Sequence, residues 1–404
     1  VRVLRVGGKG FDRYLSEVEG RVAQDDLHLE REVRSILKDV RNRGDEALVH
    51  YTQVFDGLRI PIHQLQVKRS EVREAYRKVP QDFLGTLKRA TRRIRKFHQL
   101  LSKKLMTSLK EEEKGIRLGQ AMRPLERVGI YVPGGKASYP STVLMAAIPA
   151  KVAGVHEILM VTPPQKEGIS PAVLVAADLA GVDRIYRIGG VQAIAALAYG
   201  TKSIPKVDKI VGPGNQYVAT AKRLVYGEVD IDMVAGPSEI VIVSDESTPS
   251  SFVAADLISQ AEHDEMALAI LITNSEAFGR EVKKGVERQL SSLKRRKIAS
   301  ASLNRRGAIL IVKNLEQAMK LVNRIAPEHL ELAVSRPFSL IKSVKHAGAV
   351  SWILYPRGHW RLYGWAEPYS SYRGHGSILF AFGCGGFYQE DQPDGFYTEC
   401  IKTV

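Results

Sequence analysis

From Val128 onward, short β-branched runs alternate with alanine-rich stretches of helical length, and this alternation constrains the fold more than any other feature. Ile158-Leu159-Met160-Val161-Thr162 reads as a buried strand, followed by a helix from Pro171 to Ala180. Arg184-Ile185-Tyr186-Arg187-Ile188 reads as another strand, followed by Gly189-Gly190 and a helix through Ile194 to Leu197. Val207 to Val211 leads into Gly212-Pro213-Gly214-Asn215 and a helix ending near Tyr226. Strand–loop–helix units in series predict a parallel sheet, with ligand sites at the carboxyl ends of its strands. The pattern then restarts with Glu239 to Val243, a helix from Ser250 to Glu262, Ala267 to Thr273, a long basic helix, Ala308 to Val312 and a helix from Leu315 to Ile325. Two successive blocks predict two similar sheet domains facing each other across a cleft, the usual place for a dinucleotide.

The residues on either side differ in texture. Up to about residue 112 the chain reads as helices with charged faces, as where Leu29, Val33, Ile36, Leu37 and Val40 fall at helical spacing. After residue 350 come all three tryptophans (Trp352, Trp360 and Trp365) and both cysteines (Cys384 and Cys400). Such a concentration of residue types absent from the rest of the chain is no ordinary domain transition. Two cysteines also make neither a disulfide framework nor a cysteine-rich metal site.

With 59 Lys+Arg against 44 Asp+Glu, the net charge is +15, and nucleic-acid binding has to be weighed. The basic runs, such as Lys88 to Lys96 and Lys294 to Lys297, coincide with helical periodicity and read as solvated helix faces. Neither zinc-finger spacing nor an aromatic–basic RNA signature is present, so no nucleic-acid partner is expected. No apolar run approaches the ~20 residues of a membrane span, and the first residues lack the features of a signal peptide. The expected location is cytoplasmic.

Several segments can carry chemistry. In Ser259-Gln260-Ala261-Glu262-His263-Asp264, Gln260 and His263 stand three apart at a helix end and can offer an amide oxygen and an imidazole to one metal. A helix-terminal histidine is equally at home as a hydrogen-bonded surface residue. Ala326-Pro327-Glu328-His329 supplies adjacent Glu and His pointing different ways, suited to an imidazole base and a water-activating carboxylate, or merely to a solvated turn. The loops Gly129 to Gly135, Gly212 to Gln216 and Ala235 to Glu239 are glycine-bearing junctions where backbone can approach a ligand, or plain turn chemistry. The Gly-x-Gly-x-x-Gly dinucleotide fingerprint is absent.

Taken in order, Tyr-Val-Pro-Gly-Gly, Gly-Gly-x-Gln-Ala-Ile-Ala-Ala-Leu-Ala, Val-Gly-Pro-Gly-Asn, Ala-Gly-Pro-Ser-Glu, Gln-Ala-Glu-His and Ala-Pro-Glu-His-Leu-Glu resemble the histidinol dehydrogenases over residues 1 to about 350. The resemblance implies oxidation of L-histidinol through L-histidinal to L-histidine with two NAD, in the last steps of histidine biosynthesis. It implies one zinc per subunit on Gln260 and His263, with the zinc holding the amino alcohol, and NAD against Tyr131, Gln192 and Asn215. Substrate contacts would come from Ser238, Gln260, His263 and His329. His329 would take the alcohol proton, Glu328 would activate water on the aldehyde, and the assembly would be a swapped homodimer.

The family pattern stops near residue 350. A Gly-Asp-Tyr-x-Ala-Gly-Pro-Asn-His stretch, whose Asp is a third zinc ligand, is missing, as is a C-terminal helix bearing a Glu and the last His ligand. Tryptophan has a single codon, TGG, so reading one base later forces glycine at each Trp. His359 to Pro368 can be encoded as CAT TGG CGA CTA TAT GGC TGG GCC GAA CCA. With these synonymous codons, followed by T, the shifted frame reads Ile-Gly-Asp-Tyr-Met-Ala-Gly-Pro-Asn-His, and only the two glycines are forced by the sequence itself. The expected architecture is therefore α/β, with two facing Rossmann-like parallel-sheet domains. The expected division is 1–112 as a helical N-terminal module, 113–236 binding NAD, 237–350 carrying zinc and catalysis, and 351–404 as an out-of-frame tail. The rival reading is an inactive relic that retains NAD or partner binding.

Overall fold

Arg2–Arg5, flanked by charge and too short to stand out in the sequence, forms strand β1 and pairs in parallel with Ala308–Ile311. It opens a computed structural model that describes the whole chain except residues 21–26, 106–109, 114–115, 120–121, 135–138, 235, 237, 294, 353–387 and 391–404. Five helices follow: α1 (Phe11–Glu19), α2 (Leu27–Arg43), α3 (Asp45–Asp56), α4 (Arg69–Lys78) and α5 (Gln81–Leu105). In α2 the apolar stripe Leu29, Val33, Ile36, Leu37 and Val40 is buried, as its spacing requires. On α5, Leu84 and Leu87 are buried while Lys88, Arg89, Arg92, Arg93, Arg95 and Lys96 are exposed. No helix among the described residues is long and apolar enough to cross a membrane.

Next come the antiparallel pair β2 (Lys110–Glu113) and β3 (Ile116–Gly119), then β4 (Met122–Pro124) and β5 (Arg127–Tyr131). The first parallel block continues with α6 (Pro140–Val152), β6 (Glu157–Thr162), α7 (Pro171–Ala180), β7 (Arg184–Arg187), α8 (Gly190–Tyr199), β8 (Lys209–Val211), α9 (Gln216–Val225) and β9 (Asp230–Ile231). Its sheet is parallel throughout, in the order β7-β6-β5-β8-β9. Alternate strand residues face opposite layers. Val128, Ile130 and Met160 pack with Leu84, Leu87 and Val143, whereas Leu159 and Val161 pack with Leu29, Val33 and Leu197.

The second block runs β10 (Glu239–Ser244), α10 (Ser250–Ala261), β11 (Leu268–Thr273), α11 (Glu276–Leu290), α12 (Arg296–Arg305), β12 (Ala308–Ile311), α13 (Leu315–Ile325), β13 (His329–Ala333), α14 (Pro337–Ile341) and β14 (Ala349–Trp352). The helix starts are written in the sequence: Ser275 and Asn314 each accept a backbone N–H three residues on, from Phe278 and Gln317. The strand order β1-β12-β11-β10-β13-β14 repeats the first block's winding, with β1 added at one edge. Leu330 and Leu332 of β13 pack with Phe11, Leu15 and Met319, while Ala333 packs on the α10 side with Val253 and Leu257. Each such fully buried aliphatic side chain contributes roughly 1.5–3 kcal/mol.

Residues up to 112 do not stand apart as a helical module. The chain divides into Val1–Asp25 with Ala235–Ala381, and Asp26–Val234 with Phe382–Val404. Thus β1 and α1 complete the second sheet's unit, while α2, α4 and α5 pack against α8 and α9, α7, and α6 of the first. Beyond Trp352 only a three-residue strand, β15 (Tyr388–Glu390), is described, antiparallel to β4. The out-of-frame stretch His359 to Pro368 lies outside the described residues.

Candidate functional site

In the first sheet the winding reverses between β5 and β8, and Tyr131 and Gly212-Pro213-Gly214-Asn215 stand at the carboxyl ends of those two strands. A switch point of this kind opens a crevice where connections leave in opposite directions. Tyr131 is buried, and its hydroxyl accepts the Gly190 N–H at 3.2 Å. Burial pushes its phenol up to about 12; the Gly190 hydrogen bond opposes this and the Asp56 carboxylate adds to it. Gln192, in the first turn of α8, is fully buried, yet neither its Oε1 nor its Nε2 has a hydrogen-bond partner. An orphaned buried amide is costly unless a ligand completes it. Asn215 serves first as the N-cap of α9, its Oδ1 accepting the Val218 N–H at 3.1 Å.

The loop around Gly212 is tied down by Lys222 and Asp232, which no local motif marks. The Gly212 N–H donates to Asp232 Oδ2 at 2.8 Å, and Lys222 Nζ donates to the Gly212 carbonyl at 3.0 Å. Lys222 also pairs with Asp232, and both are almost wholly enclosed. Burial lowers the Lys222 ammonium, and Asp232 works against that shift. Gly212 has φ 118, and a β-carbon there would lie 2.1 Å from the Tyr131 carbonyl oxygen, so no other residue fits. A buried lysine ten residues from an aspartate was the only available signal, and helical spacing alone does not reveal it.

The second sheet departs from the carboxyl-end expectation. Its switch point lies between β10 and β13, but its candidate residues gather at the amino ends. His329 is the first residue of β13 and stands opposite Ile240 in register, with Ser238 and Glu239 at the start of β10. At the carboxyl end, Asp245 is occupied: it accepts the Ser335 N–H and hydroxyl at 3.0 and 2.7 Å. The reversal follows from chain order, because Pro327-Glu328 leads into β13 at His329, and Gln260 to His263 lie at and just past the end of the helix that returns to the strands' amino ends.

Glu328 and His329 do not point apart. Glu328 Oε1 lies 3.5 Å from His329 Nε2, and Glu328 Oε2 accepts the Glu239 N–H at 3.3 Å. Ala326, at φ 50, makes the left-handed turn that aims this segment, at a cost of about 1–3 kcal/mol for a non-glycine residue. Gln260 lies in the last turn of α10, and His263 lies just beyond it in a turn closed by its N–H to the Gln260 carbonyl at 3.2 Å. His263 is exposed to solvent, yet desolvation by the chain around it still pulls its imidazole below the ordinary value. Arg295 and His329 push the same way, and Glu262 opposes them. A neutral imidazole beside a carboxamide suits a metal ion chemically. Among the described residues, however, no three His, Cys, Asp or Glu side chains gather into a metal-ligand set. Ser238 is half-buried, and its carbonyl accepts the Leu268 N–H at 3.1 Å.

Comparison with known proteins gives this arrangement a context. The family model described as histidinol dehydrogenase matches residues 19–354. The histidinol dehydrogenase of Syntrophotalea carbinolica is 53% identical over 350 residues, covering 87% of this chain and 81% of that one. That of Bacillus cereus is 56% identical over 322 residues, covering 80% and 74%. The crystal structure of histidinol dehydrogenase from Elizabethkingia anophelis superposes with a TM-score of 0.81 at 36% identity, covering 88% of this chain and 80% of that one.

Proposed function

The chain belongs to the histidinol dehydrogenase family, and from that membership we propose that it oxidises L-histidinol through L-histidinal to L-histidine, as a cytoplasmic homodimer using NAD and zinc. The observation that carries this reading is the Glu328–His329 pair at the head of β13, within electrostatic reach of His263.

NAD, when bound, supplies a hydride acceptor for each of the two oxidations. Tyr131, Gln192 and Asn215 would hold it. The unpartnered Gln192 amide and the Gly212 loop, which only glycine can form, both fit a ligand pressed close to backbone. Zinc, when bound, would supply a Lewis acid for the amino alcohol. Gln260 and His263 are suitable donors, but two donors do not complete a four-ligand set.

His329 takes the proton from the alcohol oxygen as hydride leaves the adjacent carbon. Glu328, beside that imidazole, then draws a proton from water so that its oxygen adds to the aldehyde carbon. As the water oxygen adds, His329 returns its proton to the former aldehyde oxygen, giving the gem-diol. The gem-diol loses the second hydride while His329 accepts one hydroxyl proton, and the carboxylic acid so formed releases its remaining proton to solvent, leaving the carboxylate of histidine. Ser238, Gln260 and His263 would orient the substrate.

Purified protein given L-histidinol, NAD and zinc should form two NADH per histidine. Glu328→Gln should stop the second oxidation more severely than the first, and His329→Asn should slow both. Absence of NADH at every zinc concentration would refute the reading for the chain as it stands.

Of the two missing zinc donors, the Asp would come from the frame-shifted stretch and the His from the family's later C-terminal helix. The family match ends at residue 354, only a few residues past the point at which the reading frame is proposed to change.

A further inference from the structure

Below the histidines, α10 and β13 meet at a second, buried point that the mechanism leaves unused. Asp256 of α10 and Glu331 of β13 bring their carboxyl groups within interaction range of each other. Glu331 is 7% exposed, and its Oε1 has no hydrogen-bond partner. Asp256 stands four residues before Gln260 and so lies on the same face of the helix. Glu331 stands two residues after His329 and so lies on the same face of the strand. That face is the α10 side of the sheet, because Ile242, opposite Glu331, and Ala333, two residues on, both pack with Val253 and Leu257.

The spacing matches on the two elements. Four helical residues climb ~6 Å at 1.5 Å each, and two strand residues climb ~6.6 Å at 3.3 Å each. Because α10 runs back toward the amino ends of the strands, both climbs go the same way. They end at Gln260 and His263 on the helix and at His329 on the strand. We propose that the Asp256–Glu331 pair is a positioning device, a directional hydrogen bond between α10 and β13 that sets Gln260 and His263 in alignment with His329. The proposal rests on the reading of those residues as the substrate and zinc end of the site.

Two facing carboxyls cannot both ionise in an enclosed place, so one holds a proton and donates to the other. Enclosure and the neighbouring Asp256 raise Glu331 well above the carboxylate range, so the pair shares one proton. Burial likewise lifts Asp256, to about 6. An apolar pair would fill the same space at less cost, but it would let helix and strand slide. A hydrogen bond does not.

The test uses the full chain and two substitutions. Glu331→Gln keeps a donor toward Asp256, and Glu331→Met keeps the bulk without the bond. The readouts are the melting temperature, the ring-nitrogen chemical shifts of His263 and His329, zinc affinity by chelator competition, and the split between kcat for histidinol and KM for NAD. Glu331→Gln should match the parent in all of them. Glu331→Met should melt at the same temperature or higher, move both histidine signals and bind zinc at least tenfold more weakly. Its kcat should fall with KM for NAD unchanged. Should Glu331→Met fail to fold, Asp256→Val breaks the pair from its other, half-buried side and must give the same result. Unmoved histidine signals in the broken pair would overturn the proposal, as would a Glu331→Gln variant as impaired as Glu331→Met. If the parent neither takes up zinc nor forms NADH, the activity reading fails instead, and the histidine shifts still decide whether the pair aligns the two elements.

Discussion

A β-carbon on Gly348 would stand 2.8 Å from the carbonyl oxygen of Glu328. The same approach lets the Gly348 N–H donate to the Pro327 carbonyl at 3.1 Å, and the Ala349 N–H donate to the Glu328 carbonyl at 2.8 Å. The backbone that carries the proposed water activator is thus braced from the side by a residue that must lack a side chain. Gly348→Ala should push that segment outward. The clash is with backbone, so the expected cost is about 1–3 kcal/mol, measured by denaturant unfolding. The rate of histidinol oxidation should fall by more than tenfold while the affinity for NAD stays put. An unchanged rate would show that the bracing does not matter.

Gln192 presents a trade between stability and binding. Its amide is wholly enclosed with both polar atoms unpartnered. Gln192→Leu removes that penalty at similar volume and should stabilise the protein by about 1–2 kcal/mol. If the amide completes its hydrogen bonds only with NAD, the same variant should bind NAD at least tenfold more weakly by calorimetry. A variant that is more stable and binds NAD normally would reduce Gln192 to a packing residue.

Lys222 and Asp232 should behave in the opposite sense. Lys222→Met leaves Asp232 buried without its cation and the Gly212 carbonyl without its donor. Breaking one side of a buried pair costs about 3–5 kcal/mol. Urea unfolding should therefore shift strongly, and NAD binding should weaken because the Gly212 loop loses its anchor. Lys222→Met with Asp232→Leu should recover part of the stability but not the binding.

Which parts of this molecule were legible in the sequence follows from how local their causes are. The parallel blocks were legible because runs such as Ile158 to Thr162 are buried on both faces and carry no alternation. Strand β1 was not, because Arg2-Val3-Leu4-Arg5 becomes a strand only by pairing with Ala308–Ile311. The helices from Leu27 to Leu105 were legible as helices, but nothing in their periodicity says which sheet they cover. His329 could be singled out from its Pro-Glu-His context, whereas its place at the amino end of β13 depends on the order in which helix, turn and strand follow one another. Asp256 and Glu331 were invisible, because a lone acidic residue in an apolar run looks the same in sequence whether or not another faces it.

Asp56 gives a pH signature of known sign. One of its oxygens is buried without a partner, and burial pushes its carboxyl from 3.8 to about 6. Because the folded state holds this proton more tightly than the unfolded chain, Asp56 favours folding fully below 3.8 and loses that contribution as pH rises through about 6. Asp56→Asn carries no such titration. The melting temperature of the variant minus that of the parent should climb across this window and level off above it. A difference that stays flat, or falls, would mean that Asp56 is ionised and satisfied in the folded protein.

The reading frame after Val350 decides whether a complete metal site can form. Gln260 and His263 alone leave a tetrahedral ion half unligated; a one-base shift would turn Trp360 and Trp365 into glycines and, with permitted codons, write the Asp of the family's missing stretch. DNA resequenced across codon 350 should show the shift. A protein translated in the restored frame should hold one zinc per subunit against a chelator that strips the present chain. It should also turn over histidinol at least a hundredfold faster. If the present chain keeps its zinc under the same challenge, the remaining donors lie within residues 351–404 as they now stand. The frame argument would then be wrong.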